Sequence, residues 1–156
     1  MPAMMIGIAA RAGAPSPKLW VTDRCGLHVF DGQQWTSHGD SEFERALLDR
    51  GPNGELYAVL KDGRVQRYDG ATWDVLTSLE RYRSAPPGTA LAVDRQGGVW
   101  VGSGRAPYLR YFAPAAGDLD GDQWREFSGS VTEPVHALLI DSRGDLWVGG
   151  EGAFAL

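Results

Sequence analysis

Leu19-Trp20-Val21, Leu56-Tyr57-Ala58, Val99-Trp100-Val101 and Leu146-Trp147-Val148 are four versions of one short apolar string with an aromatic residue at its centre. The aromatic residues are separated by 37, 43 and 47 positions. Repeats of about 20–50 residues are typical of solenoids, propellers and arrays. A unit of about 40 residues that is rich in short strands predicts the blades of a β-propeller.

A second marker follows three of these strings at a regular place. It is an Asp-Gly pair followed three residues after the Gly by Trp, at Asp31-Gly32 with Trp35, Asp69-Gly70 with Trp73, and Asp120-Gly121 with Trp124. Asp-Gly pairs readily adopt the positive φ angles of tight hairpin turns. The second repeat also has Asp62-Gly63 between two β-rich segments, so its sequence predicts four strands in one antiparallel meander.

The other repeats follow the same order of strands. We expect inner strands at Met5–Ala9, Ala46–Leu48, Ala90–Asp94 and Val135–Asp141, and outer strands that begin at Trp35, Trp73 and Trp124. Ser41–Leu48 could be read as helical, but its position in the repeat matches an inner strand. The aromatic residues of both markers are expected to form the core between adjacent blades.

The fold class is therefore all-β, a partial propeller of about three and a half to four four-stranded antiparallel blades. We expect one domain over residues 1–156, with blades at approximately 4–37, 43–78, 89–129 and 134–156, the last of them incomplete. The first and last blades of such an arc each lack a neighbour on one side. Apolar faces and strand edges left in this way favour self-association or the addition of further blades from a longer chain.

Composition narrows the function classes. The 156 residues include 21 Gly and 9 Pro, as suits a chain dense in turns. A net charge of −5 argues against a nucleic-acid partner, since such proteins usually carry a basic stripe.

Cys25 is the single cysteine, which excludes an internal disulfide. No stretch approaches the ~20 apolar residues of a membrane span, and Met4–Ala10 is too short for a convincing signal-peptide core.

The motifs resemble the repeat of two-component regulator propellers. The consensus of that repeat resembles D-x-x-G-x-L-W-(V/I)-G followed by G-L-x-x-(Y/F)-D-G-x-x-W. The first half is matched by Asp141–Gly149 and Asp94–Gly102, and the second half by Gly26–Trp35. The second repeat departs from it at Tyr57-Ala58-Val59, which no Gly follows. The third repeat carries an insertion at Pro114–Asp122.

The resemblance implies a non-catalytic ligand-sensing or protein-interaction propeller that forms part of a bacterial two-component-type signalling protein. In that family such propellers lie in extracytoplasmic, periplasmic sensor regions. The expected partner is a small molecule, a glycan or a protein, and no cofactor is expected. Lyases of the streptogramin-degrading type use similar propeller repeats with a divalent metal and a general-base His, and this enzymatic alternative stays open.

Metal binding has one weak candidate in the sequence. Asp118, Asp120 and Asp122 alternate in a loop and could supply oxygen ligands to Ca²⁺. However, the Gly falls between the second and third Asp, and the twelfth position counted from Asp118 is Gly129 rather than Glu. A solvated inserted turn is the favoured interpretation of this pattern, and no metal site is expected. The three histidines are not spaced in the sequence as the ligands of a metal ion usually are. They are His28, His38 and His136, and they are expected in different parts of the repeat array.

Candidate ligand contacts lie on the face formed by the loops from second to third strand and from outer strand to the next inner strand. Loops vary without disturbing a rigid scaffold and therefore often carry function. Arginines beside an aromatic ring can stack on and hydrogen-bond a polar ligand. The candidates are Arg24, His38, Lys61, Arg81, Tyr82, Arg83, Arg105 and Tyr108.

Overall fold

The computed structural model describes residues 7–11, 18–38, 41–79, 88–113, 124–151 and 153–155. These residues form fifteen β-strands and a single 3-10 turn at Ser41–Phe43, with no α-helix among them. The strands make four antiparallel sheets in which strands consecutive along the chain pair with each other. The fold is a partial β-propeller, as the repeats predict.

Each sheet is a simple meander from inner to outer strand. The first sheet contains β1 Gly7–Arg11, β2 Lys18–Asp23, β3 Gly26–Phe30 and β4 Trp35–Ser37. The second contains β5 Leu47–Arg50, β6 Leu56–Val59, β7 Arg64–Tyr68 and β8 Trp73–Ser78. The third contains β9 Ala90–Val93, β10 Val99–Gly102, β11 Leu109–Phe112 and β12 Trp124–Glu126. The fourth contains β13 Val135–Ile140, β14 Leu146–Gly150 and β15 Ala153–Ala155.

The three outer strands begin at the marker Trp residues, as predicted, whereas the inner strands differ in their bounds. β1 is described from Gly7 to Arg11, and Met5 and Ile6 of the predicted strand lie outside the described residues. β5 extends through Arg50, because Asp49 and Arg50 pair with Tyr57 and Leu56 of β6. The segment before β5 is the 3-10 turn, which buries Phe43.

The core lies between successive sheets because side chains of a strand alternate between its two faces. In β6, Leu56 and Ala58 pack in a cluster with the first sheet. Tyr57 and Val59 of the same strand pack in a second cluster with the third sheet. A third cluster joins the third sheet to Leu146 and other residues of the fourth. Each inner strand also contacts the inner strand of the next sheet, in the order β1, β5, β9 and β13. The inner strands therefore lie together on one side of the arc.

The expectation that all marker aromatics are core is wrong at two positions. Trp20, Tyr57 and Trp124 are buried, but Trp35 is 56% exposed and Trp147 is 46% exposed. Both exposed residues lie in the sheets at the ends of the arc. An inter-blade position is covered only when a blade stands beside it, and the described chain places no sheet beside these two.

Candidate functional site

The meander gives every sheet two ends, and these form two faces of the molecule. We call the loop face the one that carries the β2–β3, β6–β7 and β10–β11 turns together with the connections between sheets. We call the turn face the opposite one, which carries the β5–β6, β9–β10 and β13–β14 turns. The two faces follow from antiparallel pairing, since consecutive turns of a meander lie at alternate ends.

The structure places five of the predicted contact residues on the loop face, namely Arg24, His38, Lys61, Arg105 and Tyr108. Arg81, Tyr82 and Arg83 lie outside the described residues, as do Asp118, Asp120 and Asp122 of the calcium candidate. Arg24 is exposed at the tip of the β2–β3 turn. The ring of His38 stacks on Trp20, with 6.1 Å between ring centroids.

Lys61 is already paired within the protein. Its Nζ lies 3.2 Å from Oε2 of Glu44, in the segment that connects the first and second sheets. The same segment provides Glu42, whose Oε2 accepts a hydrogen bond from Arg64 at 3.0 Å. These exposed pairs contribute little to stability, but one of them engages Lys61, which the sequence assigned to a ligand.

Arg105 and Tyr108 belong to the third sheet. Arg105 is exposed, whereas Tyr108 is half-buried and packs against the third core cluster. Among the described residues, no ring contact or ion pair joins these two to Arg24, His38 or Lys61. The five described candidates therefore share the loop face without a ring contact or ion pair that joins them to one another.

A histidine–carboxylate pair on the loop face was missed in the sequence. Nε2 of His28 lies 3.0 Å from Oδ1 of Asp23, a diagonal neighbour across the β2–β3 pairing, in which Asp23 pairs with Gly26. The backbone N–H of Cys25 donates to the same oxygen and, together with His28, holds the pKa of Asp23 below its usual value. A carboxylate that orients an imidazole is an arrangement found in general-base sites.

The turn face contains a cavity of about 300 Å³. It lies where the turns after the inner strands of the second, third and fourth sheets converge. Its lining residues are Arg50, Gly51, Pro52, Val93, Asp94, Arg95, Ile140, Asp141 and Ser142. The sequence pattern predicts binding on the opposite face instead, because nothing in a linear sequence shows that three turns more than 40 residues apart meet.

The two carboxylates of the cavity accept hydrogen bonds from their own turns and from an aromatic side chain of the same sheet. Oδ1 of Asp94 accepts from the backbone of Gln96 and Gly98, and its Oδ2 accepts from the Tyr111 hydroxyl at 3.0 Å. Asp141 repeats this arrangement with the backbone of Arg143 and with Nε1 of Trp147 at 3.1 Å. The hydrogen bond from Trp147, with the backbone bonds of the turn, lowers the pKa of Asp141 to about 2.

In the second sheet, a different residue supplies the carboxylate that accepts hydrogen bonds from the corresponding turn. Gly51 occupies the place of the Asp, as its N–H donates to the carbonyl of Glu55 just as Asp94 N–H donates to Gly98. A Cβ on Gly51 would meet Oε2 of Glu55 at 2.8 Å, and that oxygen accepts from the Asn53 backbone. Glu55 thus places its carboxylate where the other two turns place an aspartate.

A fourth carboxyl group, that of Asp49, lies behind the cavity wall. Oδ2 of Asp49 accepts from the backbone N–H of Val93 at 2.8 Å and so joins the second sheet to the third. Burial raises the pKa of Asp49. The lining holds the carboxylates of Asp94 and Asp141 beside two basic residues, Arg50 and Arg95. Arg95 is exposed, and its guanidinium suits an anionic ligand. The described residues contain no group of three or more His, Cys, Asp or Glu side chains that could hold a metal ion.

A sequence profile of the two-component regulator propeller family matches residues 129–152. Residues 129–152 are thus similar to a repeat of this family. The matched segment spans the loop before β13, β13 itself, the turn with Asp141 and β14. The match therefore falls on the sheet that forms one wall of the turn-face cavity. No curated protein sequence matches the chain.

Solved structures confirm the propeller fold. The extracellular domain of a hybrid two-component system of B. thetaiotaomicron is 17% identical, with a TM-score of 0.61 over 90% of this chain and 20% of its own. Virginiamycin B lyase of Staphylococcus aureus is 15% identical, with a TM-score of 0.64 over 96% of this chain and 50% of its own. YCF48 bound to D1 peptide is 16% identical, with a TM-score of 0.62 over 96% of this chain and 47% of its own.

This chain therefore spans between a fifth and a half of the proteins that it matches. At these identities the likeness shows the fold and leaves activity to other arguments. No helix among the described residues is long and apolar enough to cross a membrane.

Proposed function

We propose that this chain is a non-catalytic binding module, the ligand-sensing or protein-interaction propeller of an extracytoplasmic region in a bacterial two-component-type signalling protein. The family repeat at residues 129–152 supports the signalling role, and similarity to extracellular domains of two-component systems supports the location. The observation that carries the binding role is the cavity at the convergence of three turns. Concave sites with a few convergent polar groups are the usual places for small ligands.

The ligand that this cavity suits is a small molecule or peptide terminus that carries a carboxylate. Arg95 is exposed in the β9–β10 turn and lines the cavity together with Arg50. A planar guanidinium can form two parallel hydrogen bonds with a carboxylate. Val93 and Ile140 add apolar surface to the walls. The loop-face site at Arg24, His38, Lys61, Arg105 and Tyr108 stays a prediction, and it is the competing location.

A thermal-shift experiment separates the two faces. The probes are a panel of uronic acids, dicarboxylic acids, amino acids and short peptides, compared with their amides or methyl esters. A ligand that binds only the folded state raises its stability by about 2.7 kcal/mol at a hundredfold excess over Kd. We expect the shift to disappear in Arg95→Ala and to persist in Arg105→Ala, since both arginines are exposed in turns of the third sheet but at opposite ends.

Each of the other results contradicts part of the proposal. Loss of the shift in Arg105→Ala alone would locate binding on the loop face. Equal shifts by the carboxylates and their methyl esters would show that the guanidinium groups do not recognise charge. A panel without any stabilising member would overturn the carboxylate ligand.

The lyase alternative is favoured by one observation, the His28–Asp23 pair on a fold shared with virginiamycin B lyase. Its test is incubation of the chain with virginiamycin B and Mg²⁺, followed by mass spectrometry of the antibiotic. The alternative requires turnover that His28→Ala abolishes. We expect the antibiotic to remain unchanged.

A further inference from the structure

The two large exposed tryptophans of the described chain mark its two ends. Trp35 is 56% exposed in the first sheet, and Trp147 is 46% exposed in the fourth. Trp73 and Trp124 occupy the position of Trp35 in the second and third sheets, and they are half-buried and buried. The counterparts of Trp147 are Trp20, Tyr57 and Trp100, of which the first two are buried and the third is half-buried.

The covered positions belong to one recurring interface. The first core cluster contains Trp20 from the second strand of one sheet and Trp73 from the outer strand of the next. The second core cluster contains Tyr57 and Trp124 in the same two roles. The first and second of the three interfaces inside the arc thus combine a second-strand aromatic with the outer Trp of the following sheet.

Strand register shows that Trp35 and Trp147 lie on the two faces without a neighbouring sheet. Trp35 pairs with Phe30, which pairs with Leu19, so all three lie on the face of the first sheet that points away from the second. Trp147 pairs with Leu139, which is 62% exposed. Leu146 and Val148, on the other face of β14, pack against the third sheet.

We propose that two copies of this chain associate head to tail, with the Trp147–Leu139 face of each copy packed on the Trp35–Leu19 face of the other. This contact would repeat the interface seen twice within the arc, with Trp147 and Trp35 in the roles of Trp20 and Trp73. A heterologous contact that closes after two copies forms a ring. The ring size fits, because the chain aligns with 47–50% of the single-chain propellers YCF48 and virginiamycin B lyase.

Sedimentation velocity on the whole chain tests this inference, which is independent of the proposed ligand. We expect a species of about twice 16.9 kDa whose population grows with protein concentration up to the order of 100 µM. Trp35→Ser, Trp147→Ser and Leu139→Ser should each raise the dissociation constant at least about tenfold. Val75→Ser is the matched control, because Val75 is also an exposed strand residue (48%) but lies in an interior sheet.

A mixing experiment distinguishes head-to-tail pairing from pairing of like faces. A dimer of Trp35→Ser with Trp147→Ser keeps one interface with both tryptophans, so the mixture should associate more tightly than either variant alone. Association weakened by Trp147→Ser but unaffected by Trp35→Ser would show that like faces pair, which overturns the proposal. A wild-type chain that remains monomeric at the highest concentration would overturn it as well. Far-ultraviolet circular dichroism of each variant confirms that a loss of association is not a loss of fold.

Discussion

Asp141 is the residue whose charge most directly stabilises a turn of the propeller. Its pKa falls from 3.8 to about 2, chiefly because Trp147 Nε1–H donates to it and because two backbone N–H groups of the turn donate to the other oxygen. A depressed pKa contributes stability that is present above the unfolded value and lost as the pH falls through the folded value. The stability supplied by Asp141 is therefore complete above about pH 4 and disappears as the pH falls towards 2.

The Asp141→Asn variant checks this pH dependence. It cannot titrate, so the difference in unfolding free energy between wild type and variant should shrink as the pH is lowered from 5 to 2 in urea titrations. Asp23, Asp31 and Asp69 also have lowered pKa values, but they titrate in both proteins and cancel in the difference. A difference that stays constant with pH would show that the Asp141 charge makes no contribution.

Tyr57 and Trp147 occupy the same repeat position but should respond differently to truncation. Tyr57 is 3% exposed and packs in the second core cluster, so Tyr57→Ala should lower the unfolding free energy by about 3–5 kcal/mol. Trp147 is 46% exposed, and Trp147→Ala should cost clearly less in the monomer. Chemical denaturation at low protein concentration measures both, and equal losses would contradict the exposure of Trp147.

This contrast shows what the sequence could not provide at the residue scale. The repeat correctly predicts that Trp147 is a counterpart of Trp20 and Tyr57. Burial, however, depends on what lies beside the residue in space, and the sequence pattern is the same at an interior and at a terminal sheet. The exposed Trp35 is the same case at the other end of the arc.

Among the elements, the tight turns were the most predictable from the sequence. Asp62-Gly63 predicts a hairpin turn, and Gly63 has a φ of +90° in the β6–β7 turn. The turn-face cavity was not predictable, although its walls come from turns of this kind. The available signal was the repetition of Asp94 and Asp141 at the same place, which marks equivalent turns but not their convergence.

Gly63 and Gly144 form a matched pair for testing turn geometry. Both have positive φ, +90° and +95°, which costs a non-glycine residue roughly 1–2 kcal/mol. A Cβ at Gly63 would also lie 3.1 Å from Cβ of the buried Leu79, whereas nothing lies within 4 Å of a Cβ at Gly144. Gly63→Ala should therefore destabilise the protein more than Gly144→Ala in thermal denaturation. The reverse order would mean that the β6–β7 turn can shift to accommodate a Cβ at Gly63 despite its close approach to Leu79.

For the molecule as a whole, stability should vary along the arc. Among the described residues, the main contacts between sheets join consecutive sheets. The molecule therefore resembles a repeat protein in which stability is a sum of units and interfaces. The second and third sheets are covered on both faces by core clusters, whereas the fourth is covered on one face only in the described chain. Free energies of local opening should consequently be highest in the middle of the arc.

Hydrogen exchange at two protein concentrations tests this gradient and the association together. At low concentration, amides of β6 and β10 should exchange more slowly than those of β14, because both faces of their sheets are packed and β14 carries the exposed Trp147. At high concentration, protection should rise selectively in β14 and β3, the strands that face the second copy, on the order of tenfold or more. Val75→Ser should preserve this rise and Leu139→Ser should remove it. Uniform protection along the chain, unchanged by concentration, would instead show a single cooperative unit whose end faces remain free.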